Sequence, residues 1–246
     1  MNIWDSLFLQ PLLNGLILFY KISGNLGLAI ILFTVFIRVL LIPLTLPSLR
    51  AAQKMRELAP HLQKLKMRHK DDKKKLAQAQ MELYRQHGVN PAAGCIPQIV
   101  QIVILIALYQ AFLRVLSGDS QVVSKINEFL WSPLVLPENT VFTTHFLYLD
   151  LGKPDIFRLS GFPFPIPGPL ILVAAFVQFV SSKMMTPEVK KEADVAKKTP
   201  SQTDDMMVSM QQSMLWLFPA TTIFIGIAFP SGLVLYWFIF SLFQAF

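Results

Sequence analysis

The chain has 246 residues, 53% of them hydrophobic and 15% charged, against about 25% charged in an ordinary soluble domain. Those charges are too few for a water-facing surface, and a mean hydropathy of +0.49 points to lipid as the solvent rather than to a larger core. The net charge of +7 is therefore informative through where the charges fall rather than as a sign of nucleic-acid binding, so no DNA partner is expected, and the single Cys95 excludes an internal disulfide.

Residues 1–24 open without a basic n-region and carry Asp5, so they read as an amphipathic segment on the extracellular side rather than a cleavable signal peptide. Residues 25–48 (NLGLAIILFTVFIRVLLIPLTLPS) are long enough for the roughly 20-residue crossing of a bilayer and are interrupted only by Arg38. Residues 49–88 predict a helical hairpin. Met55, Leu58, Leu62 and Leu65 recur at helical spacing, Asp71 and Asp72 offer a turn and N-cap, and Leu76, Leu83 and Tyr84 resume the stripe before Gly88. A second span is expected over 94–116. Residues 117–167 are rich in Phe, Trp, Leu and Pro, which predicts short interfacial helices and turns. A third span follows over 168–185, then a polar, flexible linker over 186–205. The 41 residues from Met206 to Phe246 hold no charge and exceed one crossing, so the FPSG at 229–232 divides them into spans 207–228 and 231–246. The expected fold is an all-α integral membrane protein with five transmembrane helices.

Loop charge sets the orientation. Residues 50–85 hold 11 Lys or Arg against four acids, and 183–198 hold five against three, whereas 117–167 hold three against five. The two basic loops are placed in the cytoplasm, giving N-out/C-in. Within the hairpin, Arg50, Lys54, Arg56, Lys64, Lys66 and Arg68 form a candidate recruitment surface for clients or ribosomes. The plainer reading is contact with anionic lipid, but an orientation signal would not require two amphipathic helices.

Arg38 lies near the middle of the first span, where an arginine costs roughly 2.5–3.5 kcal/mol on insertion scales. No Asp or Glu falls in any of the five spans. The spans instead supply neutral polar groups: Gln98 and Gln101 in the second, Gln178 in the third, Gln211 and Gln212 in the fourth, with Trp237 in the fifth as a flanking aromatic. Together they predict a water-filled concavity in the inner half of the bilayer with Arg38 at its upper end. Snorkelling and interhelical packing are the plainer alternatives, yet a side chain reaching about 6 Å would still need water or a partner at that depth. An unpaired cation there would attract acidic groups arriving from the cytoplasm.

Three motifs then carry a resemblance. NPAAGCIPQIVQIVILIALYQAF (90–112) resembles the second-span signature of the YidC/Oxa/Alb membrane protein insertases, and PSGLVLYWFIFSLFQ (230–244) the one that opens their last span. FIRVLLIPLT (36–45) is similar to their first core span, with its arginine at Arg38. Where that family often has Asn after the LYW motif, this chain reads Phe240, Ser241 and Leu242. The resemblance is to the minimal five-span form of the bacterial plasma membrane. It implies insertion of client membrane proteins without nucleotide hydrolysis, by the protein as a monomer or beside the Sec translocon. In that picture the groove takes a client's short acidic extracellular tail, Arg38 holds the tail transiently, and the client helix leaves past the third and fifth spans into lipid.

Enzymatic chemistry is not expected. No acids occur in the spans, the histidines at 61, 69, 87 and 145 form no metal-spaced set, and there is neither a GxSG motif nor a Gly-rich phosphate loop; no catalytic residue, metal or cofactor is assigned. The competing class is an anion transporter or channel built on the same arginine, but such proteins often carry inverted repeats, and no internal repeat is seen.

Overall fold

The computed structural model describes residues 2–69, 72–90, 96–116, 122–161, 163–185 and 216–245. It is mostly helical. A π-helical turn, Asp5–Leu9, runs into α1 (Gln10–Ser23), which ends at Gly24 in the left-handed region, φ 67°, whose N–H returns to the Tyr20 carbonyl. The Asn25 side chain then accepts the Leu28 N–H at 3.1 Å and starts α2 (Leu26–Arg68). After α3 (Lys73–Gln86) and α4 (Ile96–Leu116) come α5 (Val122–Asn127) and a 3₁₀ turn at Ser132–Leu134. Two ribbons follow, β1 (His145–Phe146) with β2 (Leu149–Asp150) and β3 (Ile156–Phe157) with β4 (Ile166–Pro167), both antiparallel. The remaining helices are α6 (Pro169–Met185), α7 (Trp216–Ala228) and α8 (Ser231–Ala245).

Three of these features differ from the sequence expectation. α2 is continuous for 43 residues, through Pro43, Pro47 and Pro60, so the first arm of the hairpin is an extension of the first apolar helix rather than a new one. Proline deletes one backbone donor and strains one carbonyl four residues back, a local defect that the surrounding turns of so long a helix bridge. The segment 117–167 contains strands as well as turns and short helices. Each strand is two residues long, too short for any alternation to register in sequence. Finally, two helices are long and apolar enough to cross a membrane among the described residues, Asp5–Ser23 and Leu26–Pro47. Ile99–Val115, Pro169–Met184, Trp216–Ala228 and Ser231–Gln244 are apolar but shorter. The amino-terminal segment thus has the length of a crossing, beyond the amphipathic role read for it.

The described residues fall into two compact units. The first comprises residues Met1–Leu40, Gln101–Ser181 and Phe218–Phe246. Its core includes Leu13, Leu16, Ile17, Ile30, Phe33, Leu108 and Phe112, all nearly or fully buried, and a second cluster in which Ile171 and Ala174 of α6 meet Val234 of α8. Gly226 lets α7 close on α6: a Cβ there would stand 2.9 Å from the Ile171 side chain. Asn14, with no exposed surface, donates to the Phe129 carbonyl and accepts from the Trp131 N–H, both at 2.8 Å, tying α1 to the segment after α5.

The second unit comprises residues Leu41–Val100 and Ser182–Leu217. Asp72 caps α3 by accepting the Lys75 N–H at 3.0 Å. α3 closes on Gly88, φ 62°, with the Val89 N–H returning to the Tyr84 carbonyl at 2.9 Å. Leu58 and Leu76 are buried in this unit, and the exposed side chains include Arg50, Lys54, Lys64 and Arg68; those of Arg56 and Lys66 lie outside the described residues.

The loop around β2 and β3 closes the starts of two helices. The Ser231 N–H donates to the Lys153 carbonyl at 2.8 Å, the Gly232 N–H to the Leu151 carbonyl at 3.1 Å, and the Ser231 hydroxyl to the Asp150 carbonyl at 2.8 Å. At α6, the Asp155 carboxylate and the Tyr148 hydroxyl both accept the Leu170 N–H at 2.9 Å, while Tyr148 donates to Asp155 at 3.2 Å. Orphan donors of both first turns, α8 through main-chain carbonyls and α6 through side chains, are thereby satisfied from one stretch of chain.

Candidate functional site

Four helices of the first unit place polar groups at the ends of apolar stripes. On α2, Ile30, Phe33, Thr34 and Ile37 are buried, and Arg38 follows on the flank of that face, partly buried. On α4, Gln101 shares a face with Ile104, Leu108 and Ala111, at helical spacing, and is 5% exposed. On α6, Gln178 and Ser181 continue the face of Ile171 and Ala174. α8 carries two adjacent stripes of i, i+4 pairs: Tyr236 with Phe240, and Trp237 with Ser241.

Arg38 and Gln101 come together, 63 residues apart in sequence: an Arg38 Nη donates to the Gln101 side-chain oxygen. Gln101 in turn donates through its amide nitrogen to the Tyr236 hydroxyl at 2.9 Å, so the one glutamine is used at both ends. The Arg38 guanidinium carbon lies 3.7 Å from the centre of the Phe240 ring. Phe240 is itself nearly buried, with the Tyr236 and Trp237 rings 6.5 and 6.1 Å away. Arg38 therefore has a neutral amide and an aromatic face for company, with no acid in the apolar stretches of the sequence. A hydrogen bond to a charged group contributes about 1.5–3 kcal/mol and a cation–π contact about 0.5–2 kcal/mol, together comparable with the cost of placing the arginine there. Among the described residues the cation is held without a carboxylate partner.

The second stripe of α8 meets α6. The Ser241 hydroxyl donates to the Gln178 side-chain oxygen at 2.5 Å, and both residues are buried. The Ser181 hydroxyl and the Trp237 indole N–H are buried without a hydrogen-bond partner among the described residues, and Trp237 lines a cleft with Thr222, Gly226 and Val234. Of the residues read from sequence as one polar lining, Arg38 and Gln101 are thus joined, and Gln178 is engaged with Ser241. Gln98 lies on α4, but its side chain is outside the described residues, as are Gln211 and Gln212 altogether. From sequence Trp237 reads as a flanking aromatic, while Tyr236 and Ser241 receive no partner there. The i, i+4 repeat of 236/240 against 237/241 was the signal that two neighbouring faces of α8 serve two different helices.

The sequence profile described as "60Kd inner membrane protein" matches residues 18–246. The chain is similar to the "Membrane protein insertase YidC" of Pelobacter propionicus, 35% identical over 236 residues, which are 95% of this chain and 36% of that protein. It is 32% identical to the protein of the same name from Geobacter sulfurreducens over 95% of this chain and 35% of that one. With the "Membrane protein insertase MisCA" of Bacillus subtilis it shares 35% identity over 99% of this chain and 77% of that protein. The chain thus spans about a third of the length of the first two relatives. The crystal structure titled "Active YidC insertase crystal structure with the first transmembrane domain resolved" superposes over all of this chain and 46% of its own, with a TM-score of 0.58 at 23% identity, a likeness of fold.

Proposed function

The chain belongs to the 60Kd inner membrane protein family, and from that premise we propose that it inserts client membrane proteins into the bacterial plasma membrane, using Arg38 to attract acidic client segments. The observation that carries this reading is the state of Arg38, partly buried on an apolar helix with Gln101 and Phe240 as its partners and no acid in the apolar stretches around it. An uncompensated cation at such depth is an attractive site for a carboxylate, because its field is screened less there than in water.

In this reading the five spans are 25–48, 94–116, 168–185, 207–228 and 231–246, N-out/C-in, with Gln178 and Trp237 lining a hydrated groove open to the cytoplasm. The basic hairpin at 49–88 recruits clients or ribosomes, and the Sec translocon is a further partner. A polar tail entering the groove crosses less hydrocarbon, and the membrane potential, positive outside, favours each outward-moving acid by up to about 2.3 kcal/mol per 100 mV. The client helix gains transfer energy as it reaches lipid. Nothing in the cycle makes or breaks a covalent bond.

The test is protease-protected insertion of a single-span client with a short acidic tail into proteoliposomes holding the wild type, Arg38→Ala or Arg38→Lys. Insertion by the wild type, loss with alanine and partial recovery with lysine is the expected result. Equal insertion by all three removes Arg38 from the mechanism, and anion flux without client insertion by the wild type replaces the insertase with a transporter.

A further inference from the structure

The ring of Phe240 lies against the Arg38 guanidinium, 3.7 Å from its carbon to the ring centre. We propose that Phe240 is a positioning residue, whose ring holds Arg38 in one orientation so that its remaining N–H edges form a receptor selective for carboxylates. The proposal rests on the reading of Arg38 as the group that meets the client.

A guanidinium carries five N–H donors, all in its plane, and none on its faces. At 3.7 Å the carbon of Arg38 is in van der Waals contact with the ring, so Phe240 covers one side of the cation, where no donor is lost. Gln101 takes a donor on an edge. The two contacts come from different helices, α8 and α4, and differ in direction, which leaves the long arginine side chain little rotational freedom. The ring is also fixed: Phe240 is 7% exposed and bracketed by Tyr236 and Trp237. It is therefore a platform rather than a swinging lid. A carboxylate matches two parallel donors of a fixed guanidinium, whereas a carboxamide or hydroxyl matches one. Fixing the plane beforehand removes part of the ordering cost of that match. Lysine cannot make the match, because an ammonium is a point charge without a plane to hold.

The experiment compares two clients, identical except that the tail carries Asp and Glu in one and Asn and Gln in the other, inserted by the full chain in proteoliposomes. The readout is the ratio of acid-tail to amide-tail insertion. Phe240→Leu keeps apolar bulk and removes the ring, and the ratio falls roughly three- to tenfold, the range of an exposed to partly buried cation–π contact. Phe240→Tyr restores it. In an Arg38→Lys background, Phe240→Leu lowers the ratio no further. A ratio unchanged by Phe240→Leu, or equal losses for both clients as expected of a packing defect, overturns the proposal and leaves the role of Arg38 standing. A wild-type ratio near one overturns both. Should Phe240→Leu not fold, Phe240→Met offers unbranched bulk without a ring and is held to the same outcomes.

Discussion

Replacing Gln101 separates holding Arg38 from using it. Gln101→Leu deletes the acceptor for the guanidinium and the donor to the Tyr236 hydroxyl together, in a place where Gln101 and Tyr236 are 5% and 2% exposed. Losing a charged hydrogen bond and a neutral one amounts to about 2–4 kcal/mol, which at roughly 2–4 °C per kcal/mol for a chain of this size lowers the unfolding midpoint by about 5–15 °C. Gln101→Glu keeps the shape and replaces the neutral acceptor with a carboxylate. Arg38 then has an internal counter-ion, so stability is kept or rises, while insertion of acid-tailed clients falls toward the level of Arg38→Ala. Thermal unfolding in detergent and insertion in proteoliposomes, measured on the same preparations, give the two quantities. A Gln101→Glu protein that inserts acid-tailed clients as well as the wild type refutes the reasoning, because a neutralised arginine would then serve as well as a bare one.

The joint between the β2–β3 loop and α8 gives further expectations. Ser231→Ala removes the 2.8 Å bond to the Asp150 carbonyl and lowers stability by about 1 kcal/mol; Gly232→Ala, whose new carbon would meet the Leu151 carbonyl at 3.2 Å, displaces the loop and speeds amide hydrogen exchange at Ser231 and Gly232. Acid loosens the same joint. The Lys153 ammonium, 2.8 Å from the Asp150 carboxylate, and the Gly152 N–H, at 3.1 Å, hold the Asp150 pKa below its ordinary value of 3.8, so the contribution is present above pH 4 and lost as pH falls through the lowered value; the protection of the Gly232 amide relative to its intrinsic exchange rate should fall there, less steeply in salt and to a smaller extent in Lys153→Ala. Asp72→Ala frees the Lys75 N–H, and exchange over the first turn of α3 is expected to quicken while that at Tyr84 stays slow.

What could be read in advance follows the range of the interactions. Asp72 as a cap and the stripe of Leu58, Leu62 and Leu65 are local, within a turn or two of helix. Arg38 was legible because charge is rare in an apolar stretch, and Gln101 and Gln178 because amides are. Their partners were not. Whether Gln178 meets Arg38 or Ser241 depends on the rotation of α6 against α8, which no periodicity within either helix records. The same holds for His61 and His87, whose rings lie 6.4 Å apart across the turn between α2 and α3 although their spacing in sequence suggested nothing. The break at 48/49 follows the change from an apolar to a basic run, and such a change does not end a helix: α2 continues through its three prolines, each a small local loss beside the 43 residues of helix around it.

The loop that closes the starts of α6 and α8 acts on the pair as the pivot of a pair of tongs. Backbone bonds to Ser231 and Gly232 and the Asp155 contact to Leu170 pin both helices at one end, so the displacement produced by a given tilt grows with distance along them. Gln178 lies nine residues beyond Pro169, about 14 Å from that pivot at 1.5 Å per residue. A relative tilt of about 10° moves it by roughly 2.4 Å on that rise. The displacement is enough to part Gln178 from Ser241, 2.5 Å away, while every bond at the pivot stays closed. On such a tilt the Gln178–Ser241 contact parts before the bonds of the loop do.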